Sequence, residues 1–268
     1  MTAAQLNVIG LMAVYNEDDI LDQTIAYTIS QGLKLIVLDN GSTDRSYEIA
    51  ASYLGNGVLS VRRVPTETFE WAILLRMLCQ WAWEFEAHWC VLVDADTFLE
   101  SPRRRLTLLD AIRQEADLGH NVIKFNNFEF WPTPLDPSDE PDVRKRVTYY
   151  TYNDDNQEKC WANLPGVDIA QEAGHQVFYP PGIEKSISPN HFVMRHYKIR
   201  SYEHGLRKVF QQRQPRFRGQ PEGWHIQYSW MSPARECFVR DPSTLTKYEE
   251  DGQWNLTPTL GRDGRPLR

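Results

Sequence analysis

Cysteine is sparse and unpatterned in this chain. The 268 residues hold four, Cys79, Cys90, Cys160 and Cys237, with no Cys-X-X-Cys spacing, and Cys79 and Cys90 fall in apolar helix and strand patterns. Neither a zinc site nor a disulfide framework is indicated, and reduced core thiols are expected. Long apolar runs are missing too. No stretch reaches the roughly eighteen residues of a membrane span, and the first residues lack the basic start and hydrophobic run of a secretion signal, so the expected location is the cytoplasm. There are no internal repeats and no low-complexity tracts. The net charge of −7, from 29 Lys and Arg against 36 Asp and Glu, weighs against general nucleic-acid binding, although a local basic surface remains compatible with it.

What is present is a soluble-enzyme composition, 41% hydrophobic and 24% charged, long enough to bury a substantial core. Leu6 to Val14 is a nearly continuous apolar run of the kind a buried parallel strand requires, and it breaks into Tyr15-Asn-Glu-Asp-Asp19. A helix follows with Ile20, Leu21, Ile25 and Ile29 on one stripe. Leu33 to Asp39 repeats the pattern: Gly41 supplies a turn, and Ser42 or Thr43 is expected to cap a helix through Ile49 and Tyr53. Val58 to Val64 reads as a third strand. A long helix from about Phe69 to Glu86 carries Trp71, Leu74, Leu75, Leu78, Trp81 and Phe85 on an apolar face. Strand-helix units in this order give a parallel α/β sheet with a site along the carboxyl ends of its strands. Tyr15, Asp39 and Asp94 are expected on that edge.

Asp94 and Asp96 end the run Trp89-Cys-Val-Leu-Val-Asp-Ala-Asp-Thr-Phe-Leu99. In an extended segment, side chains at i and i+2 share a face, so two anionic oxygen ligands would be presented together. A hard divalent cation bridging them can also take phosphate oxygens. The competing reading is a strand end followed by a capping Asp before Ser101-Pro102.

Further along, Arg103-Arg-Arg105 is expected to open a helix through Leu106, Leu109 and Ile112, and Asn121 to Phe130 reads as the next strand. The Pro-rich residues 132–141 form a polar loop. Val143 to Tyr152 suggests an extended segment, as does Phe192 to Arg195. Ser201 is placed to cap a helix containing Leu206, Val209 and Phe210. Residues 195–218 hold eight Lys or Arg against the single acid Glu203. They read either as a solvated amphipathic helix or as a surface for a diphosphate, a phosphorylated acceptor or an anionic membrane. After Asp241 a Pro- and Gly-rich tail reads either as pinned by Trp254 and Leu256 or as mobile.

The order Ala-Val-Tyr-Asn-Glu, Leu-Asp-Asn-Gly-Ser-Thr-Asp and Val-Asp-Ala-Asp resembles the nucleotide-sugar half of family-2-type glycosyltransferases. A weaker echo follows at Met194-Arg-His-Tyr-Lys-Ile-Arg-Ser201, similar to the His-Tyr-X-X-Arg-Ser segment of a bacterial branch. The resemblance implies the GT-A fold, an α/β architecture with a mixed, mainly parallel sheet flanked by helices. Its divisions would be a nucleotide-sugar half over 1–105, an acceptor half over 106–240 and a tail over 241–268. It further implies transfer of a sugar from a nucleoside diphosphate donor, UDP-linked, to a hydroxyl of a glycan, lipid-linked or small-molecule acceptor, with inversion. Tyr15, Asn16, Glu17 and Asp39 would meet base and ribose. Arg76 would approach the nucleotide or its diphosphate, unless it is an ordinary solvated arginine. Asp94 and Asp96, with His196, would hold Mn²⁺ or Mg²⁺; His175 is the rival histidine. The family's Glu-Asp motif is missing where this chain has Val167-Asp-Ile-Ala-Gln-Glu-Ala-Gly-His175, which leaves Glu172 or Glu129 as the catalytic base. Two other functions fit the same pattern less well: a nucleotidyltransferase, whose Gly-rich phosphate loop is missing after the first strand, and a noncatalytic sugar or nucleotide binding module.

Overall fold

The computed structural model describes residues 6–66, 70–172, 174–216, 228 and 231–258. Two compact units divide the chain: unit 1 is Met1–Thr66, Glu70–Asn126 and Asn156–Met194, and unit 2 is Glu67–Phe69, Asn127–Asp155 and Arg195–Arg268.

Unit 1 alternates strands and helices: β1 (Val8–Val14), α1 (Leu21–Ser30), β2 (Lys34–Asp39), α2 (Ser46–Ser52), β3 (Val58–Arg63), α3 (Trp71–Glu84), β4 (Trp89–Leu92), β5 (Thr97–Glu100) and α4 (Leu108–Asp117). Parts of β6 (Val122–Trp131), β7 (Tyr149–Ala162) and β8 (Phe192–His196) complete it. The strand order is β3-β2-β1-β4-β7-β6-β8-β5. β1 pairs in parallel with β2 and with β4, and β2 with β3, whereas β7 runs antiparallel to β4. The result is a mixed α/β sheet, parallel where strands and helices alternate and antiparallel where β7 joins β4.

The near-continuous apolar runs are explained by burial on both faces of the sheet. Strand periodicity deals alternate residues to opposite sides. Val8, Met12, Val14, Leu35 and Val37 pack with Leu21, Ile25, Leu108 and Ile112 from α1 and α4. Ile9, Leu11, Ile36 and Leu38 pack with Leu74, Leu75, Leu78 and Trp81 from α3. Each fully buried aliphatic side chain in these layers contributes roughly 1.5–3 kcal/mol. The four cysteines are free thiols.

Local boundaries differ from the sequence expectation in three places. Ser42 and Thr43 do not cap α2, which begins at Ser46 behind Asp44, whose Oδ1 accepts from the Ser46 N–H at 2.9 Å. Arg103–Arg105 stay exposed in the turn before α4, because Thr107 is the cap and accepts from the Asp110 N–H. Val143 opens a short helix, α5 (Val143–Arg146), capped by Asp142, and the extended chain starts only at Tyr149. The expected helix start at Phe69 lies outside the described residues.

In unit 2, β9 (Thr246–Lys247) adds antiparallel to β7. As expected, Ser201 caps α6 (Tyr202–Leu206), its Oγ accepting from the His204 N–H, and the chain continues as a π-helical segment, Arg207–Arg213. Trp131, Ile199, Val209, Tyr228 and Phe238 form the core. Trp254 stacks on Phe128 at 4.1 Å and lies against Tyr150 and Tyr248, so it anchors the tail; Leu256 is 52% exposed and does not. The basic segment is only partly solvated: Arg207 is exposed, and Arg195 and Arg213 are half-buried. Lys198, Arg200, Lys208 and Arg216 are all buried; Arg218 lies outside the described residues.

Gly205 in α6 has no room for a side chain. A Cβ there would stand 2.3 Å from Cδ1 and 2.7 Å from Cγ of Phe238. Alanine improves helix propensity by up to about 1 kcal/mol, yet forcing a methyl against a buried aromatic ring costs typically about 1–3 kcal/mol. Gly205→Ala is therefore expected to lower the unfolding free energy in denaturant melts, and a gain in stability would show that the ring yields.

Candidate active site

Parallel pairing brings the ends of three strands to one edge of unit 1. Val14 lies opposite Asp39 and Leu11 opposite Leu92, and the Val93 N–H donates to the Leu11 carbonyl at 2.9 Å. The loops after β1, β2 and β4 therefore emerge side by side. Asn16 adopts φ 55°, a left-handed conformation that asparagine tolerates better than most residues. That turn lets its Oδ1 accept from the Thr43 N–H at 2.8 Å, while its own N–H donates to Ser42 Oγ. The Glu17 N–H donates to Ser46 Oγ, and the Glu17 carbonyl accepts the first N–H groups of α1. Tyr15 is half-buried at the mouth of this pair of loops.

Asp39 is fully buried. Its carboxylate accepts from the Ser42 N–H and, at 2.9 Å, from Arg63 Nε, and the Arg63 guanidinium also lies over the Tyr47 ring at 4.2 Å. Asn16 and Asp39 thus both hold the frame of the loops.

The acidic pair is presented by a turn, not by an extended strand. β4 ends at Leu92, and the Asp94 carbonyl accepts from both the N–H and the hydroxyl of Thr97 at 3.0 Å. Asp96 is buried, whereas the Asp94 side chain is 28% exposed. Lys159 Nζ lies 2.7 Å from Asp94 Oδ2, and the lysine side chain is 3% exposed. Among the described residues of unit 1, no third Asp, Glu, His or Cys ligand joins Asp94 and Asp96 in a cluster. The donor set is two hard carboxylates, the chemistry Mg²⁺ or Mn²⁺ selects.

Arg76, Glu172 and His175 are the other predicted residues of unit 1. Arg76 is exposed and lines a cavity of about 270 Å³ with Cys79 and Val167–Ala170; Asp94 and Asp96 do not line it. Glu172 is exposed in a turn whose carbonyl accepts from the His175 N–H at 2.8 Å, and the His175 carbonyl accepts from the Glu158 N–H.

Unit 2 unites two residues that the sequence had given different roles. Glu129 Oε1 lies 2.7 Å from Lys198 Nζ and 3.6 Å from His196 Nδ1, and Asn153 Nδ2 donates to Oε2. Burial favours the neutral acid, but the charges of Lys198 and His196, with the hydrogen bonds from Lys198 and Asn153, outweigh it and hold the carboxyl below the ordinary range. Lys198 also lies over the Trp131 ring at 4.6 Å.

A sequence model of the family described as Glycosyl transferase family 2 matches residues 11–166, more than half of the chain. The chain belongs to this family. Its mixed α/β sheet is the family's fold. No curated protein matches. Among solved structures, S. aureus TarS is similar at 11% identity and a TM-score of 0.43, over 77% of this chain and 39% of that one. The TarS 1–349 complex with UDP is similar at 11% identity and a TM-score of 0.40, over 81% of this chain and 67% of that one. A UDP-glucose pyrophosphorylase complexed with UDP-glucose gives 7% identity and a TM-score of 0.30, over 65% and 73%. The chain spans well under half the length of the longer TarS chain.

Arg63, Lys159 and Lys198 are charged residues that the sequence reading missed. Lys159 carried one available signal: a charged pair, Glu158-Lys159, runs directly into the apolar Cys160-Trp161 within one strand, so alternation must send one of the two charges inward.

Glu129 ties stability to pH. A carboxyl depressed on folding contributes stability that is fully present above its unfolded value, near the ordinary 4.5, and is lost as pH falls through the lower folded value. Glu129→Gln is expected to cost about 3 kcal/mol or more at neutral pH, because Lys198 is left buried without its counter-charge. It should also flatten the acid side of the stability profile. Denaturant melts from pH 7 to 3 on both proteins test this, and parallel acid limbs would remove Glu129 as the linked group.

Proposed function

We propose that this family 2 enzyme moves a sugar from a nucleoside diphosphate sugar, UDP-linked, to an acceptor hydroxyl with inversion, using a divalent cation held by Asp94 and Asp96. The observation that carries the reading is the placement of the Asp94–Thr97 turn at the end of β4, beside the loops that follow β1 and β2. When bound, the cation supplies charge stabilisation for the departing diphosphate. Tyr15, Asn16, Glu17 and Asp39 line the edge where base and ribose would lie. Asp39 is fully buried at that edge and supports it through Ser42 and Arg63; its assignment to base or ribose rests on its motif. The assignment of His196 as a further ligand rests on its motif alone, as does a role for Arg76 at the diphosphate.

For the base that takes the acceptor proton, we favour Glu172 over Glu129. A general base works best with a pKa near the operating pH. Glu129 is held below the ordinary carboxylate range and is engaged by Lys198, which suits a structural anion better than a proton acceptor. Glu172 is exposed. Acceptors of glycan, lipid-linked or small-molecule type all fit this scheme.

Two substitutions test it. Asp96→Asn keeps the shape and removes a charge, so release of UDP from a UDP-sugar should fall by at least about a hundredfold, near 2.7 kcal/mol of barrier, with little change in melting temperature. Turnover close to wild type with Mn²⁺ would place the chemistry elsewhere, and pyrophosphate-dependent turnover would make the chain a nucleotidyltransferase. Glu172→Gln should lower kcat by roughly 10²–10⁴-fold while leaving UDP affinity intact. If Glu129→Gln, assayed where it stays folded and binds UDP as wild type does, loses turnover and Glu172→Gln does not, the two assignments exchange.

A further inference from the structure

Lys159 stands out among the charged residues of unit 1. Its neighbour Glu158 accepts from the Val177 N–H and pairs with Lys185, so strand alternation turns Lys159 toward Asp94. Asp94 is the carboxylate that Lys159 meets among the described residues, at 2.7 Å, and the lysine side chain is almost wholly buried. Lysine is rarely buried so deeply unless it is paired. Its long stem carries the ammonium from β7 to the turn that follows β4.

We propose that Lys159 sets the charge of the acidic pair, so that the site takes its divalent cation as a complex with a nucleoside diphosphate and not as the bare ion. The inference rests on the reading of Asp94 and Asp96 as the cation-holding pair. Two aspartates alone would offer two negative charges to a doubly positive ion. The ammonium cancels one of them and repels the incoming cation at short range, where screening is weak. A nucleoside diphosphate restores both the missing negative charge and the missing oxygen donors through its phosphates. Asp94 Oδ2 stays with Lys159, and the partly exposed remainder of the carboxylate meets the cation of the complex. Lys159 is in this sense a positioning residue: it fixes the rotamer and the net charge of Asp94 without touching the sugar.

The test is Mn²⁺ binding to the full chain, read as loss of the free-ion paramagnetic resonance signal, with and without saturating UDP. Wild type should bind Mn²⁺ at least about tenfold more tightly with UDP present than without it, after correction for Mn²⁺ held by free UDP. Lys159→Met should tighten binding of bare Mn²⁺ by at least about tenfold, and Lys159→Arg, which keeps the charge, should stay near wild type. Lys159→Met that melts cooperatively yet binds bare Mn²⁺ no better than wild type overturns the proposal. Should that variant fail to fold, wild type alone decides, because equal affinity for Mn²⁺ with and without UDP also overturns it. Failure of the underlying reading looks different: Asp96→Asn would then bind Mn²⁺ and UDP together as well as wild type does.

Discussion

Everything at the candidate site depends on the parallel pairing of β1 with both β2 and β4. Parallel strands in adjacent positions send their carboxyl ends to the same side, so residues distant in sequence converge there. In this chain the registers Val14 to Asp39 and Leu11 to Leu92 perform that alignment. The backbone hydrogen bonds that continue past the strand ends, Asn40 to Val14 and Val93 to Leu11, extend it into the loops. Apolar layers on both faces then fix the strands against sliding, because a slip of one residue would exchange the Ile9 and Leu11 face for that of Val8 and Met12.

Upon that alignment sits a second layer of constraint, made of short polar side chains. Asn16, Ser42, Thr43, Asp44 and Ser46 spend their hydrogen bonds on one another's backbone. The two loops consequently behave as one surface. Asp39 and Arg63 add a buried ion pair beneath it, whose cost in desolvation is offset by the Ser42 N–H and by the Tyr47 ring over the guanidinium. Residues that read as ligand contacts in the sequence are in part the masonry of the site.

The fold was legible in the sequence because period and composition encode it directly. The first four strands and α1 and α3 fall where the apolar runs and helical stripes put them, and the Ser201 cap is where a serine before a helical stripe should be. Helix starts were less legible. Ser42 and Thr43 are good capping residues in isolation, but the left-handed turn at Asn16 claims them first, a partner twenty-six or more positions away that no local pattern reveals. The same limit explains the aspartate pair. Its residues were identifiable, whereas its presentation on a turn and its ion pair with Lys159, sixty-five positions later, follow from the antiparallel register of β7 on β4. The basic segment after residue 195 shows composition misleading by itself: charge suggests solvent exposure, yet Lys198 finds Glu129 and Trp131 inside the fold.

The distribution of thiols gives the molecule an uneven chemical reactivity. Cys90 and Cys160 are wholly buried, and burial pushes both thiols well above their ordinary value. Cys79 is driven by burial, and then by Asp168, up to about 12. Since the thiolate is the nucleophile, these three are shielded from alkylation at neutral pH. Cys237, partly exposed beside Ser232, is left as the natural handle for a fluorophore or spin label, placed in unit 2 while Asp94 and Asp96 stay unmodified in unit 1.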